Sequence, residues 1–583
     1  HSSQKHIKHW NTTHYSVTSC IFNSSRQSLQ AKDVMSSYSN SSRHNRLTDN
    51  TLHCIVTSDE FLSKLFVYAL FRQRFFGKRT FFAVEIIGKR TFLGSYFIGK
   101  RSFLVLIFIG KRTFMPKKHY ICSELKGNIN IMLYRKIASR IEEYLSSDSD
   151  RMLLIDGARQ IGKSYIISWV GKKMFSNYIE INMEEDKLGD RIFAEAKTTS
   201  DFYMALSLVA GDKMKDKANT LVFIDEIQAY DHLLTLVKFL MREKKFTYIA
   251  SGSLLGVTLK NTQSVPIGSL DIVHMYPMDF EEFLYANGVG KDAVEAMREK
   301  FNNLQALPDT MHKKMIDLFK KYILVGGLPK AVDTFVKSRN VVEFRSVQNE
   351  VHTLYGIDAS KYEEEHSRKL KIRRIFDMIP SNLENKKKRV VIKDIENKTW
   401  KRTNDYLDEF DYLISSGIAL EVKAISKPSY PLVENSGKNL LKLYLNDVGI
   451  LSGIFYRNNI TAVMSDMRSI NLGSVYETVV AQELKAHGYE LYYYDNKKNG
   501  EVDYLIDDAD NLSNIPIEVK SGKDYTIHSA LDKFLSNDEY NIKRAYVLSN
   551  EQNVYMENGV TYIPVYYVMF FENVSNVVGQ FLD

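Results

Sequence analysis

From residue 132 onward, apolar positions follow two rhythms. Short unbroken runs, such as "MLLI" at 152–155 and "LVFI" at 221–224, end in Asp, Gly or Ser. Runs of this length and boundary predict strands buried on both faces. Between them, apolar residues recur three and four apart, as in "MLYRKIASRIEEYL" from Met132 and over Asp231–Glu243, which predicts amphipathic helices. The order is strand–loop–helix, strand (178–182), strand, helix, strand (246–253). This alternation predicts a parallel sheet covered by helices on both sides.

The pattern changes downstream. Residues 341–384 read as helices. Tyr406, Leu407, Phe410, Leu413 and Ile414 fall on one helical face, a Gly417 cap follows, and then a strand. Helices followed by a short hairpin predict a winged-helix-like segment. "ENKKKRVVIK" (384–393) reads equally well as a duplex-binding run or a solvated charged face. A last unit opens with a helix near Gly473, then strands at 490–494, 501–506 and 515–520, the helix 529–535 and the strand "AYVLS".

The first 60 residues have no apolar period and are rich in Ser, Thr, Asn and His, which predicts disorder. Then Gly-Lys-Arg-Thr/Ser-Phe recurs at 77, 88, 99 and 110. Each unit carries Gly, a basic pair and bulky β-formers, so a helix is not expected. Two readings compete: a basic-aromatic arm for nucleic acid or a membrane surface, and an in-frame translation of a tandem repeat ahead of a start at Met115 or Met132. The second is preferred. Residues 1–131 are thus expected to be a disordered or spurious extension.

Composition adds limits. A chain of 583 residues implies roughly three or four domains. The expected division is a parallel α/β domain at 132–285, a helical and winged-helix-like segment at 286–463, and a small α/β domain at 464–583. The net charge of +8 permits a nucleic-acid partner without requiring one. The three cysteines all lie within the first 122 residues, which argues against a disulfide framework or cysteine zinc site in the folded body and suits a cytoplasmic location. The longest apolar run, "FLVLIFIG" at 103–110, is too short for a membrane span.

Chemistry concentrates in two places. Gly157-Ala158-Arg159-Gln160-Ile161-Gly162-Lys163-Ser164 is a P-loop between strand and helix. Its backbone N–H groups suit the β-phosphate of ATP, Lys163 the β/γ oxygens, and Ser164 a Mg²⁺ ion. "TLVFIDEIQ" supplies a Walker B strand, with Asp225 toward Mg²⁺ and Glu226 toward the attacking water. Ser251 or Ser253, at the end of the next strand, is expected near the γ-phosphate. A strand inserted between the P-loop and Walker B strands would suit the NTPases that carry a catalytic glutamate.

"GARQIGKS", "FIDEIQ", "SGSLLG", "VPIGSLDIVHMYPMDFEEFL" and "YILVGGLPKAV" together resemble an uncharacterised group of bacterial and archaeal AAA+-type ATPases. The resemblance runs from Met132 to Asp583. Many of those proteins carry Arg where this chain has Ser269, so a trans-acting arginine is unassigned and a homo-oligomer is only compatible with the pattern. The resemblance implies a C-terminal restriction-endonuclease-like, PD-(D/E)XK domain. Its motif falls on Glu477, Asp503, Glu518 and Lys520. The three carboxylates would be metal ligands, and Lys520 would position water or neutralise the scissile phosphate. Lys520 and Glu518 share a strand face. Glu483, six residues beyond Glu477, is about 120° out of helical phase. The expected function is ATP hydrolysis coupled to a nuclease-like domain acting on nucleic acid, DNA being the candidate. The alternative is an ATP-dependent switch that docks a partner and cleaves nothing.

Overall fold

The computed structural model describes residues 133–573 except 215–218, 254–266, 360–362, 364, 397, 399, 436–439, 468–471 and 523, together with six strands nearer the N-terminus. The chain divides into two units, His1–Asn130 and Ile131–Asp583.

In the first unit, β1 (Ser19–Phe22) and β2 (His53–Val56) pair in parallel. β3 (Ala69–Phe76), β4 (Arg79–Ile86), β5 (Thr91–Ile98) and β6 (Arg101–Phe108) form an antiparallel meander in chain order. Phe, Val, Ile and Thr dominate these strands, residues that fit a pleated surface. The rest of the expected N-terminal extension lies outside the described residues.

The second unit begins with five parallel strands: β7 (Met152–Asp156), β8 (Asn177–Asn182), β9 (Thr220–Asp225), β10 (Thr247–Gly252) and β11 (Leu270–His274). Their order is β11-β7-β10-β9-β8, so β10 separates the P-loop strand from the Walker B strand. Every residue of β7 and β9 is buried. The side chains sort by parity. Leu153, Ile155, Leu221 and Phe223 pack with Ile166, Ile167 and Val170 of the helix Lys163–Met174. Leu154, Val222 and Ile224 pack with Leu233, Val237 and Leu240 of the helix Asp231–Glu243. Period-two alternation with both faces covered is what an unbroken apolar strand demands.

Helices from Phe280 to Glu384 lead to a second sheet: β12 (Ala419–Ile425), β13 (Leu441–Leu445), β14 (Tyr492–Asn496), β15 (Gly500–Asp508), β16 (Ser513–Val519), β17 (Ala545–Ser549), β18 (Tyr555–Glu557) and β19 (Val560–Pro564). The order is β13-β12-β14-β15-β16-β17-β19-β18, and the pairing is mixed. Here the winged-helix expectation is corrected. The hairpin β12–β13 is not a free wing, because β12 pairs in parallel with β14. Ala419, Leu420, Val422, Ala424 and Ile425 are all buried, so β12 cannot stand in solvent. The expected boundary at 463/464 is therefore crossed by one sheet. The helix Gly473–Ala486 covers one face, and Leu531 and Phe534 of the helix Ser529–Leu535 pack with Val502, Leu505 and Val547 on the other.

Candidate functional sites on the two sheets

The P-loop turns at the C-terminal end of β7. Gly157 adopts φ +142°, and a Cβ there would stand 2.3 Å from the Met275 carbonyl oxygen, so only glycine fits. Gly162 (φ +91°) ends the loop, and the helix starts at Lys163. Ala158 and Ile161 are buried in the core, so they offer the loop's backbone to a ligand, while Gln160 is exposed. Lys163 is buried and donates to the carbonyls of Gly157 and Ala158, both at 2.8 Å. Burial pushes its ammonium pKa down, against the opposing pull of Glu226, Asp156 and Asp225.

Asp225 gathers hydroxyl and amide donors. Ser164 Oγ donates to Oδ2 at 2.9 Å, Asn182 Nδ2 to Oδ2 at 3.2 Å, and Ser251 Oγ to Oδ1. Burial raises its pKa despite these bonds. Glu226 sits in the left-handed region (φ +51°) at the turn after β9. Its Oε2 accepts from Gln228 Nε2 (2.5 Å), Ser253 N (3.1 Å) and Ser253 Oγ (2.7 Å). Burial pushes Glu226 up, but Lys163 and these donors outweigh it and leave the carboxyl below its ordinary value. The strands thus bring every predicted ATPase residue to one sheet end. Ser251 faces Asp225 and Ser253 faces Glu226.

The donor set fits a magnesium nucleotide. Two oxygen ligands of the kind Mg²⁺ takes, Ser164 Oγ and Asp225 Oδ2, lie side by side. The loop glycine admits no side chain, and the helix N-terminus lies directly behind it.

Arg159 was expected only to lend its backbone. Its Nε donates to Ser253 Oγ at 3.2 Å, and Nη1 lies 3.3 Å from Asp358 Oδ1, at the end of the helix Val341–Asp358. Tyr355 of that helix donates to the Arg159 carbonyl at 2.9 Å. A Cβ on Gly417 would lie 3.1 Å from Ala158 N, and Asn446 donates to the Gly417 carbonyl at 2.8 Å. Arg135 donates to the Ile161 carbonyl (2.8 Å) and to Glu282 (3.0 Å). Arg135, Asn182, Tyr355 and Asp358 carry no local motif, and Gly417 shows in the sequence only as a helix cap. The one available signal was the regular helical spacing that placed 341–384 in helices.

On the second sheet, Glu477, Asp503, Glu518 and Lys520 come from the helix Gly473–Ala486, from β15 and from the end of β16. Lys520 Nζ donates to Glu518 Oε1 at 2.8 Å. Asp503 Oδ2 accepts from Val519 N at 2.9 Å. Burial, then the charges of Glu518 and Glu477, push the Asp503 carboxyl well up. Glu477 accepts from Lys388 and, at 3.1 Å, from Tyr444. Lys442, wholly buried on β13, lies 2.7 Å from Glu501. Arg389 reaches Asp495 (2.5 Å) and Glu501 (3.1 Å). The basic run 384–393 is therefore neither of the expected faces at Lys388 and Arg389, which turn inward onto carboxylates.

Among the described residues, no group of three or more His, Cys, Asp or Glu side chains could hold a metal ion. Glu477, Asp503 and Glu518 are near enough to feel one another's charge; Glu477 accepts from Lys388, Glu518 from Lys520 and Asp503 from a backbone amide. Among the described residues, no helix is long and apolar enough to cross a membrane.

Residues 149–284 match the model of an AAA domain, and residues 316–459 and 472–568 match two domains of unknown function, DUF8612 and DUF4143. No curated protein matches the chain. Among solved structures, a Walker-type ATPase of Pyrococcus abyssi is similar over 55% of this chain and 95% of its own, at 15% identity and a TM-score of 0.35. The AAA match and the P-loop geometry agree: residues 149–284 form an ATPase-like, nucleotide-binding domain.

Proposed function

We propose that the chain is an ATP-hydrolysing switch whose nucleotide state is passed to the C-terminal mixed sheet. ATP and Mg²⁺ would supply a transferable phosphoryl group and its charge neutralisation. Lys163 would leave the loop carbonyls for phosphate oxygens, and Ser164 and Asp225 would hold the metal. Glu226, kept ionised by Lys163 and its donors, would orient the attacking water. The observation that carries the coupling is Arg159. This P-loop residue touches Ser253, the partner of Glu226, and Asp358, at the end of the helix whose Tyr355 binds the same loop. A change at the γ-phosphate side of the loop therefore has a hydrogen-bonded route into the C-terminal half.

A second reading makes the mixed sheet restriction-endonuclease-like and directs the switch at nucleic acid. It is supported by the helix–strand–strand–strand–helix–strand order and by the clustering of Glu477, Asp503, Glu518 and Lys520.

Hydrogen exchange tests the first reading. In the Glu226→Gln chain, ATP is expected to slow exchange around Tyr355–Asp358, Gly417 and Asn446 as well as in the P-loop. The Lys163→Ala chain is expected to show neither effect. Protection confined to the P-loop would sink the coupling.

A further inference from the structure

A metal-dependent endonuclease needs carboxylates that await a cation. In this chain the cations are built in. Lys388 holds Glu477, Lys442 lies against Glu501, Lys520 holds Glu518, and Arg389 spans Asp495 and Glu501. Four basic groups face four acids. Asp503, the remaining carboxylate, takes the Val519 amide. Three of these bases lie outside the Glu-x-Lys motif. Lys388 and Arg389 come from the segment after the helix His366–Glu384, and Lys442 from the outermost strand, β13. The strands β13 and β12, which extend the sheet beyond the hairpin bearing the motif, thus bring one of the cations with them. Glu477 is buried, and Lys388 is largely so. A divalent ion entering there would strand an ammonium group without its partner in a poorly hydrated place, the costly outcome for a buried pair.

We propose that the C-terminal body is a metal-independent, lysine-neutralised counterpart of the endonuclease site. Lys388 and Lys442 stand in for the cation and tie the helix Gly473–Ala486 and strands β13 and β15 into one rigid face. This inference rests on the reading of the body as restriction-endonuclease-like. It makes that body a binding module and takes metal-dependent cleavage away from it.

The test uses the full chain carrying Ser164→Ala, which removes the P-loop hydroxyl ligand, with Mn²⁺ alone as the probe and no nucleotide. Free Mn²⁺ is followed by electron paramagnetic resonance, and stability by thermal melting. With the lysines intact, Mn²⁺ is expected to remain free, and Tm to be the same in Mn²⁺ and in EDTA. Lys388→Met is expected to lower Tm by several degrees, Lys388→Arg to lower it little, and Glu477→Gln/Lys388→Met to recover part of the loss, because both charges are then gone. Should Lys388→Met fail to fold, that double variant still reports whether the two charges are partners. Mn²⁺ binding by the lysine-intact chain that disappears on Glu518→Gln overturns the proposal, as does a Tm indifferent to Lys388→Met. Failure of the switch reading is separate: it shows in ATP-insensitive exchange and leaves the Mn²⁺ result untouched.

Discussion

The ends of the two sheets hold similar residues in opposite states. At the parallel sheet, Lys163 rests on two backbone carbonyls, and Asp225 and Glu226 are satisfied by hydroxyls and amides. At the mixed sheet, lysines rest on carboxylates. A lysine on neutral carbonyls gains by moving to a phosphate, and a carboxylate on a hydroxyl gains by moving to a metal. A buried lysine–carboxylate pair loses by admitting either, since separating it leaves a charge unpaired at a cost of about 3–5 kcal/mol. The identity of the charged residues is thus a poor guide to what a site binds. What matters is whether each charge already faces its opposite.

The largest effects that could break this comparison are at the P-loop. Lys163→Ala is expected to abolish measurable ATP binding in calorimetry, because no other lysine of the loop can reach the phosphates. Glu226→Gln keeps the shape and should bind ATP yet hydrolyse it at least ~100-fold more slowly, the order of loss seen when a group acting on the transition state is removed. Normal turnover by that variant would mean the carboxylate held by Ser253 and Gln228 is structural, as the acids of the second sheet are.

The ATPase half was legible because its motif is local. Eight consecutive residues set the loop, and unbroken apolar strands set a two-faced sheet. The strand–helix alternation gave a parallel sheet but not its strand order, in which β10 lies between β7 and β9. What escaped was long-range charge pairing. Lys388 and Glu477, or Lys442 and Glu501, are far apart in sequence, and nothing in "NKKKRVV" distinguishes an inward lysine from a solvated one. The wing escaped for a related reason: the alternation in "GIALEVKAI" is the same whether β12 pairs once or twice. Arg159 was read through its backbone alone, since its partner Asp358 lies two hundred residues on.

A second test lies between the sites, where a buried polar seam joins the two halves. Lys136 pairs with Asp279 (2.7 Å), His487 lies 3.4 Å from Asp279, and Glu483 accepts from Phe280 N and Tyr322 OH, both at 2.9 Å. Burial, reinforced by Asp279, lifts Glu483 to about 8. His487 is also raised: burial pulls it down, and the hydrogen bond and charge of Asp279 more than restore it. The native state then holds a proton on Glu483 that the unfolded chain releases near the ordinary glutamate value of 4.5. Stability therefore falls as pH rises from there toward 8, by up to about 1.4 kcal/mol per unit for this group. The raised His487 acts in the same direction, losing its contribution as pH climbs through its folded pKa. Glu483→Gln retains the oxygen that accepts from Phe280 and Tyr322. Urea unfolding at pH 5.5, 7 and 8.5 should give a shallower decline for Glu483→Gln than for the native chain. Equal slopes would place the pH dependence elsewhere.

The smallest expected effect sharpens the comparison most, because it asks whether the open site is mechanically attached to the closed one. Tyr355 donates through its hydroxyl to the Arg159 carbonyl and receives Asn446 Nδ2 at 3.4 Å, so one oxygen bridges the P-loop and the start of the mixed sheet. Its ring is fully buried, and Tyr355→Phe keeps that packing while removing the bridge. A neutral hydrogen bond of this kind contributes about 0.5–1.5 kcal/mol, so global stability should drop by no more than that. Coupling is a separate quantity from stability. In the Tyr355→Phe/Glu226→Gln chain, ATP should still protect the P-loop from hydrogen exchange, while its protection of Gly417 and Asn446 weakens. If both regions remain equally protected, the signal runs through Arg159–Asp358 alone, and Asp358→Asn becomes the variant that must silence it.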